Sequence, residues 1–172
     1  MEAYKAIITK RDSRTYTSEP IEDETLRKLT QAGRMAGSSK NTQPVRLVVV
    51  VDKENMAELA KCGDFAQPLG PAAAAIVVCL GPGGMEFDAG RASQNIMVAA
   101  WNEGLASCPV RIHHEDCGRQ ALGLPEDWRI SMVIALGHPD PNIPLSLGRT
   151  RKPYEEYVHR ERWSDEMESA SA

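Results

Sequence analysis

At 172 residues with a net charge of -4, the chain is long enough to bury a core and falls within the usual size of one domain. The charge balance argues against a nucleic-acid binder, since a phosphate backbone demands a basic surface, and no apolar stretch is both long and free of polar residues, as a membrane-crossing helix requires. Aromatic residues make up 5% of the chain, few for a domain that packs by itself, so part of the core is expected from a partner.

Tyr4, Ile7 and Ile8 recur at helical spacing ahead of Arg11 and predict a first helix. Ile21, Leu26, Leu29, Ala32, Met35 and Ala36 predict a second, with Pro20 closing the loop between them. After the polar run Ser38 to Gln43, Pro44 introduces the valine-rich run Val45 to Val51, which reads as a buried strand. A short helix through Met56, Leu59 and Ala60 follows. Ala72 to Leu80 then predicts a second buried strand, ended by Gly81, Pro82, Gly83 and Gly84. From Phe87 to Glu103 the pattern is helical and small-sided, with Gly104 as terminator, so another helix can approach it closely.

Leu105 to Val110 reads as a strand, His114 to Leu122 as a helix, and Ile130 to Leu136 as a third long apolar strand ending in Gly137. Lys152 to Trp163 is basic and partly helical, and Ser164 to Ala172 reads as a frayed polar tail. Strands separated by helices predict an α+β chain, a three-layer α/β/α sandwich in which residues 1–163 form one domain.

The four cysteines, Cys62, Cys79, Cys108 and Cys117, show no CxxC spacing and follow no secretory leader, so they are expected to be reduced in a cytoplasmic protein. Gly81-Pro82-Gly83-Gly84 lacks the third glycine of a dinucleotide fingerprint, and no Walker lysine follows a glycine loop. His113, His114, His138 and His159 form no HExxH pattern, so no metal site is expected, and no GxSxG elbow supports serine hydrolysis.

What remains is anion recognition. Lys10-Arg11-Asp12-Ser13-Arg14 follows the first helix, and arginine offers a fixed fork of donors to phosphate; taken alone, a solvated helix end explains it better. Ser38-Ser39-Lys40-Asn41-Thr42-Gln43-Pro44 combines hydroxyls and amides able to read a heterocycle edge, yet such residues also punctuate ordinary turns. Arg149-Thr150-Arg151-Lys152-Pro153 is the third element, a charge run that alone reads as solvated surface.

In this order, from about Tyr4 to Trp163, the pieces resemble the FMN-dependent nitroreductase superfamily. Its opening R-R-[S/D]-x-R-x-[F/Y] pattern is matched by Lys10 to Tyr16, and its A-P-S-x-x-N-x-Q-P-W by Ala36 to Val45. Asp88 to Asn95 resembles its middle helix, and Gly104 to Pro109 the strand that passes the flavin. Leu122-Gly123-Leu124-Pro125 and Leu136-Gly137-His138-Pro139 match two later motifs, and Arg151-Lys152-Pro153 ends the series. The chain departs from the pattern at Lys10 (usually arginine), Gly37 (usually proline) and Val45 (commonly tryptophan), and it is short, with little room for an excursion over the active site.

The resemblance implies a central mixed, mostly antiparallel sheet flanked by helices, and an intertwined homodimer with FMN at the subunit interface. It assigns Arg11, Arg14 and Arg151, with Arg149 beside it, to the FMN phosphate and ribityl chain. Arg14 would also face the N1/O2 edge, where positive charge stabilises the anionic reduced flavin. Asp12 and Ser13 become ribityl or pyrimidine contacts, while Ser38, Ser39 and Asn41 join the site from the partner subunit. Pro109 and Val110 bring backbone near flavin N5, and Gln43 is a structural candidate.

The implied reaction is a two-step, ping-pong transfer from NADH or NADPH through FMN N5 to a nitroaromatic, quinone or enone. It needs no essential protein nucleophile. Alternatives are a reductive dehalogenase, a flavin-fragmenting enzyme hinted at by Asp12 within the arginine motif, a non-catalytic flavin or nucleotide binder, and an oligomeric scaffold whose basic ends are mere surface.

Overall fold

The computed structural model describes residues 2–143 and 150–163. In chain order the elements are α1 (Ala3–Thr9), α2 (Asp23–Arg34), β1 (Val45–Val50), α3 (Lys53–Lys61), β2 (Ala74–Leu80), α4 (Glu86–Asn102), β3 (Ala106–Val110), α5 (Glu115–Leu122), β4 (Arg129–Gly137) and α6 (Tyr154–Tyr157). Short 3₁₀ turns at Ser39–Asn41 and Gln67–Leu69 join them. Arg149 and the Ser164–Ala172 tail lie outside the described residues.

The strands form one sheet in the order β1-β2-β4-β3, and all three ladders are antiparallel. Every residue of the central strand β2 is buried, which requires cover on both faces and explains its unbroken apolar sequence. On one face Ala74, Ile76, Val78 and Leu80 pack with Leu26 and Leu29 of α2 and with Ala89, Ala92, Ile96 and Ala100 of α4. On the other, Ala75, Val77 and Cys79 pack with Met56 and Leu59 of α3 and with the partly buried Ala121 and Leu122 of α5. Two apolar clusters sharing one sheet make the three layers, and each large aliphatic side chain so buried contributes about 1.5–3 kcal/mol.

The small-sided α4 is approached as its sequence predicts. A Cβ placed on Gly33 of α2 would lie 2.8 Å from the Ile96 side chain, so glycine is what lets the two helices close. Gly104, at φ +78°, ends α4 in the left-handed region, as expected of a glycine terminator.

The cysteines depart from expectation. Cys79 and Cys108 are buried free thiols, but Cys62 and Cys117 form a disulfide across 55 residues, with Cα atoms 5.4 Å apart. Cys62 caps the C-terminus of α3 and Cys117 lies near the start of α5, and packing of these two helices on the same sheet face brings the pair together. Sequence spacing carries no trace of that contact.

Candidate functional site

The segment after α1 lies along the outer edge of β3. Asp12 makes a parallel bridge to Ser107, and the Ser13 N–H donates to the Ser107 carbonyl at 3.0 Å. Among the described residues this bridge is the parallel pairing in an otherwise antiparallel arrangement. Backbone polar groups point to alternate sides of a strand, so Pro109, like Ser107, faces the outer edge and its missing N–H costs the ladder to β4 nothing. The segment is then fastened by Tyr16, whose hydroxyl donates to the Ser13 carbonyl at 2.8 Å. Tyr16 packs so closely on Gly137 that a Cβ there would lie 2.6 Å from its own Cβ.

Within this loop the charged groups divide. The Arg11 guanidinium is partly buried and donates to the carbonyls of Ile8 at 3.1 Å and Lys10 at 2.9 Å, closing the end of α1. The Asp12 carboxylate is held by the Lys10 ammonium, which also lies 3.3 Å from the Met97 sulfur of α4. Ser13 is buried, with its hydroxyl turned to the Thr15 carbonyl at 3.4 Å. Arg14 is exposed and has no hydrogen bond or ion pair among the described residues. It is nonetheless close enough to β3 to be felt there: burial pushes the Cys108 thiol up, and Arg14 opposes that rise. Tyr16 is likewise raised, first by burial and then by Cys108, again against Arg14.

The second loop carries Ser38, Ser39 and Asn41. Ser38 Oγ accepts from the Gln43 N–H at 2.8 Å, folding the loop on itself. Lys40, Asn41 and Gln43 have φ values of 49°, 54° and 51°, three non-glycine residues in the left-handed region within four positions. Such backbone costs energy and persists where surroundings enforce it, commonly at ligand sites. Ser39 and Asn41 are exposed, with their side chains free of hydrogen bonds among the described residues. Pro109 and Val110 stand on β3, paired with Ile134 and Val133.

Helix α4 ties both loops to one scaffold. Trp101 Nε1 donates to Thr9 Oγ1 at 3.0 Å and Lys10 contacts Met97, while Asn95 donates to the Ala32 carbonyl at 3.2 Å and Arg91 to the Gly37 carbonyl at 2.7 Å. Thus the Arg11–Arg14 segment is joined to β3 at Ser107, two residues before Pro109, with Arg14 near Cys108, and Ser38, Ser39 and Asn41 form a separate group toward the start of α4. Arg151 is exposed, and the bonds of its segment are local, as in Glu156 N–H to the Pro153 carbonyl at 3.2 Å. No described contact within one chain joins Arg151 to Arg11 or Arg14. Sequence reading passed over Lys10 as a partner for Asp12 and Arg91 as a support for Gly37. Both lie inside motifs already noticed, but their partners lie two residues and 54 residues away and have no sequence signature.

The donor set suits a phosphorylated, heterocyclic group: an uncommitted guanidinium at Arg14, a second at Arg151, and exposed hydroxyl and amide groups at Ser39 and Asn41. The family model described as the nitroreductase family matches residues 7–76 and 81–138. A protein of Archaeoglobus fulgidus that carries the provisional name NADH dehydrogenase/NAD(P)H nitroreductase is 32% identical over 94% of this chain and 99% of its own length. An NADPH-flavin oxidoreductase of Vibrio harveyi is 28% identical over 94% of this chain and 74% of its own. A crystal structure from Desulfovibrio desulfuricans that holds FMN superposes with a TM-score of 0.83 at 28% identity, covering 95% of this chain and 99% of that one.

Proposed function

Because the chain belongs to the nitroreductase family, we propose that it is an FMN-dependent oxidoreductase that passes electrons from NADH or NADPH to an electron-poor small organic acceptor, by a ping-pong mechanism. When FMN is bound, its isoalloxazine supplies the two-electron relay between donor and acceptor. The observation that carries the reading is Arg14, an exposed guanidinium without a partner among the described residues, held near Cys108 of β3 by the Asp12–Ser107 bridge.

In this reading Arg14 and Arg151 bind phosphate or the N1/O2 edge, with Arg149 beside Arg151. Arg11 orients the loop through the end of α1 while presenting its remaining N–H groups. Asp12, neutralised by Lys10, offers an acceptor to ribityl hydroxyls, and Ser13 positions backbone. Pro109 and Val110 exclude water from one side. Ser38, Ser39 and Asn41 serve a site completed by a second copy of the chain.

Exposed apolar groups support that second copy. Tyr4, Ile7 and Ile8 on α1, Phe87 on α4, and Tyr154, Tyr157 and Trp163 near the end of the described chain are all solvent-facing, Tyr4 at 68% and Trp163 at 77% exposure. So much apolar area on three separate segments suits an interlocked homodimer. We treat residues 1–163 as one FMN-binding domain, since both core clusters share β2 and β4. A cytoplasmic location suits a nicotinamide-dependent enzyme, and no helix among the described residues is long and apolar enough to cross a membrane.

Anaerobic titration tests the reading. Purified protein is expected to bind FMN, to bleach on addition of NADH or NADPH, and to regain colour with a nitroaromatic or quinone. Steady-state double-reciprocal plots at several acceptor concentrations should be parallel. Protein that binds FMN but is never bleached by either donor is a flavin binder, and the enzymatic reading fails.

A further inference from the structure

A cleft of about 450 Å³ opens between α2 and β1, on the side of the Ser38 loop marked by Gly37, Ser38 and Gln43. Arg27 and Arg34 of α2, Arg46 of β1 and Asp88 of α4 also line it. Arg27 and Arg34 are the arginines on the α2 side of the cleft, and neither has a carboxylate partner among the described residues.

Two of the guanidiniums are oriented without being consumed. Arg34 Nε donates to Gln31 Oε1 at 2.9 Å. Arg46 Nη1 donates to the Gln43 and Val45 carbonyls at 2.8 and 2.9 Å while its guanidinium lies over Trp128. A guanidinium carries five N–H donors, so Arg34 keeps several for a ligand, whereas Arg46 turns to Trp128 on the opposite sheet face and lines the cleft through its backbone.

Asp88 is the second, independent sign. The residue is 4% exposed, yet its carboxylate accepts no hydrogen bond and makes no ion pair among the described residues. Its oxygens keep a narrow contact with the solvent of the cleft, since they are not among the fully buried unpartnered atoms, and so confined a carboxylate is costly unless its oxygens are satisfied. Its place in the first turn of α4 offsets part of that cost but supplies no partner. Asp88, Arg27 and Arg34 line the cleft without pairing to one another.

Guanidinium forks select phosphate, and a carboxylate that only accepts selects hydroxyl donors. Together these are the groups that recognise a phosphorylated ribose, and the cleft volume is in the range of ligand pockets. We propose that the α2–β1 cleft binds the adenosine-phosphate half of the nicotinamide donor, an inference that rests on the proposed function for the identity of the nucleotide. Its shared wall with the Ser38 loop puts the donor's phosphates on one side of that loop and leaves Ser39 and Asn41 to the flavin.

The test is calorimetric titration of FMN-loaded, full-length protein with 2',5'-ADP, ribose 5-phosphate and inorganic phosphate, with flavin absorbance followed in the same samples. The expected result is 2',5'-ADP binding that leaves FMN in place, exceeds both smaller probes, competes with NADPH, and weakens about tenfold or more in Arg27→Met and Arg34→Met. These exposed substitutions leave the core intact, and Asp88→Asn adds a test of the hydroxyl contact. Unchanged binding in both arginine variants, binding that expels FMN, or ribose 5-phosphate binding as tightly without competing with NADPH overturns the proposal. Failure of the flavin reading shows separately, as protein that gains no colour with FMN.

Discussion

The Arg91 guanidinium donates to the Gly37 carbonyl at 2.7 Å and fills the room beside that glycine: a Cβ at position 37 would lie 2.8 Å from Arg91 Nη2. Residue identity at 37 and the anchoring of the Ser38–Gln43 loop are therefore one problem. Arg91→Met should free a loop that holds three left-handed residues and weaken FMN binding several-fold, with little change in melting temperature because Arg91 is exposed. Gly37→Ala should act in the same direction by displacing the guanidinium. Equal FMN affinity in both variants, measured by fluorescence quenching, removes the loop from the flavin site.

Arg14→Ala and Arg151→Ala each remove a guanidinium that has no partner among the described residues, so stability should hold. If both touch the cofactor phosphate, each costs roughly 1.5–3 kcal/mol of binding, about a tenfold loss of FMN affinity or more. Arg11→Ala differs, because Arg11 also closes α1, and it should lower melting temperature as well as affinity. An Arg14→Ala protein with unchanged FMN affinity shows that the phosphate lies elsewhere.

Thiol counting tests the cysteine pairing. Denatured, unreduced protein should show two reactive thiols, Cys79 and Cys108, and reduced protein four. In the native fold the free pair should react slowly near neutral pH, since burial raises both thiols, Cys79 to about 11. Cys62→Ser with Cys117→Ser opens a 55-residue loop and should cost up to about 4 kcal/mol in urea denaturation. Four thiols in the unreduced protein contradict the pairing.

Glu86 gives the acid limb of stability a predictable slope. The Ser131 hydroxyl most strongly holds its carboxyl below its ordinary value of 4.5; burial opposes this, and Arg129 adds to the lowering. Stability from this group is complete above the unfolded value and is lost as pH falls through the lower folded value. Glu86→Gln should flatten that loss below about pH 4.5, by no more than roughly 1 kcal/mol, because the side chain is 62% exposed. Urea midpoints between pH 3 and 6 that match wild type in shape would show that Glu86 is not linked to folding.

The fold was legible wherever burial leaves periodicity. Strand β2 is apolar at every position because both its faces are covered, and the small residues of α4 announce the close approach of α2 at Gly33. Ala72 was read into β2 but belongs to the turn before it, its N–H bonded to the Leu69 carbonyl at 3.3 Å. Backbone bridges such as Asp12–Ser107 stay hidden because they place no demand on side-chain identity. Cys62 and Cys117 stay hidden because two helices, not a local motif, bring them together.

The candidate site was legible as an ordered set of motifs, and less so as roles. Arg11 is typical of its motif, yet its visible bonds are those of a helix end. The cleft arginines Arg27 and Arg34 resemble ordinary charge on an exposed helix face until folding sets β1 and Asp88 beside them.

The Asp12 bridge also governs how copies of the protein meet. A free strand edge invites endless sheet extension. Here one rim of the sheet is shut, by Asp12 lying along β3 and by a proline that has no N–H to offer, while among the described residues the rim at β1 carries no neighbour. A sheet with one open side cannot propagate head to tail. Any pairing at β1 ends with the copy that makes it, so the same residues that frame the site also guard the protein against growing into fibres.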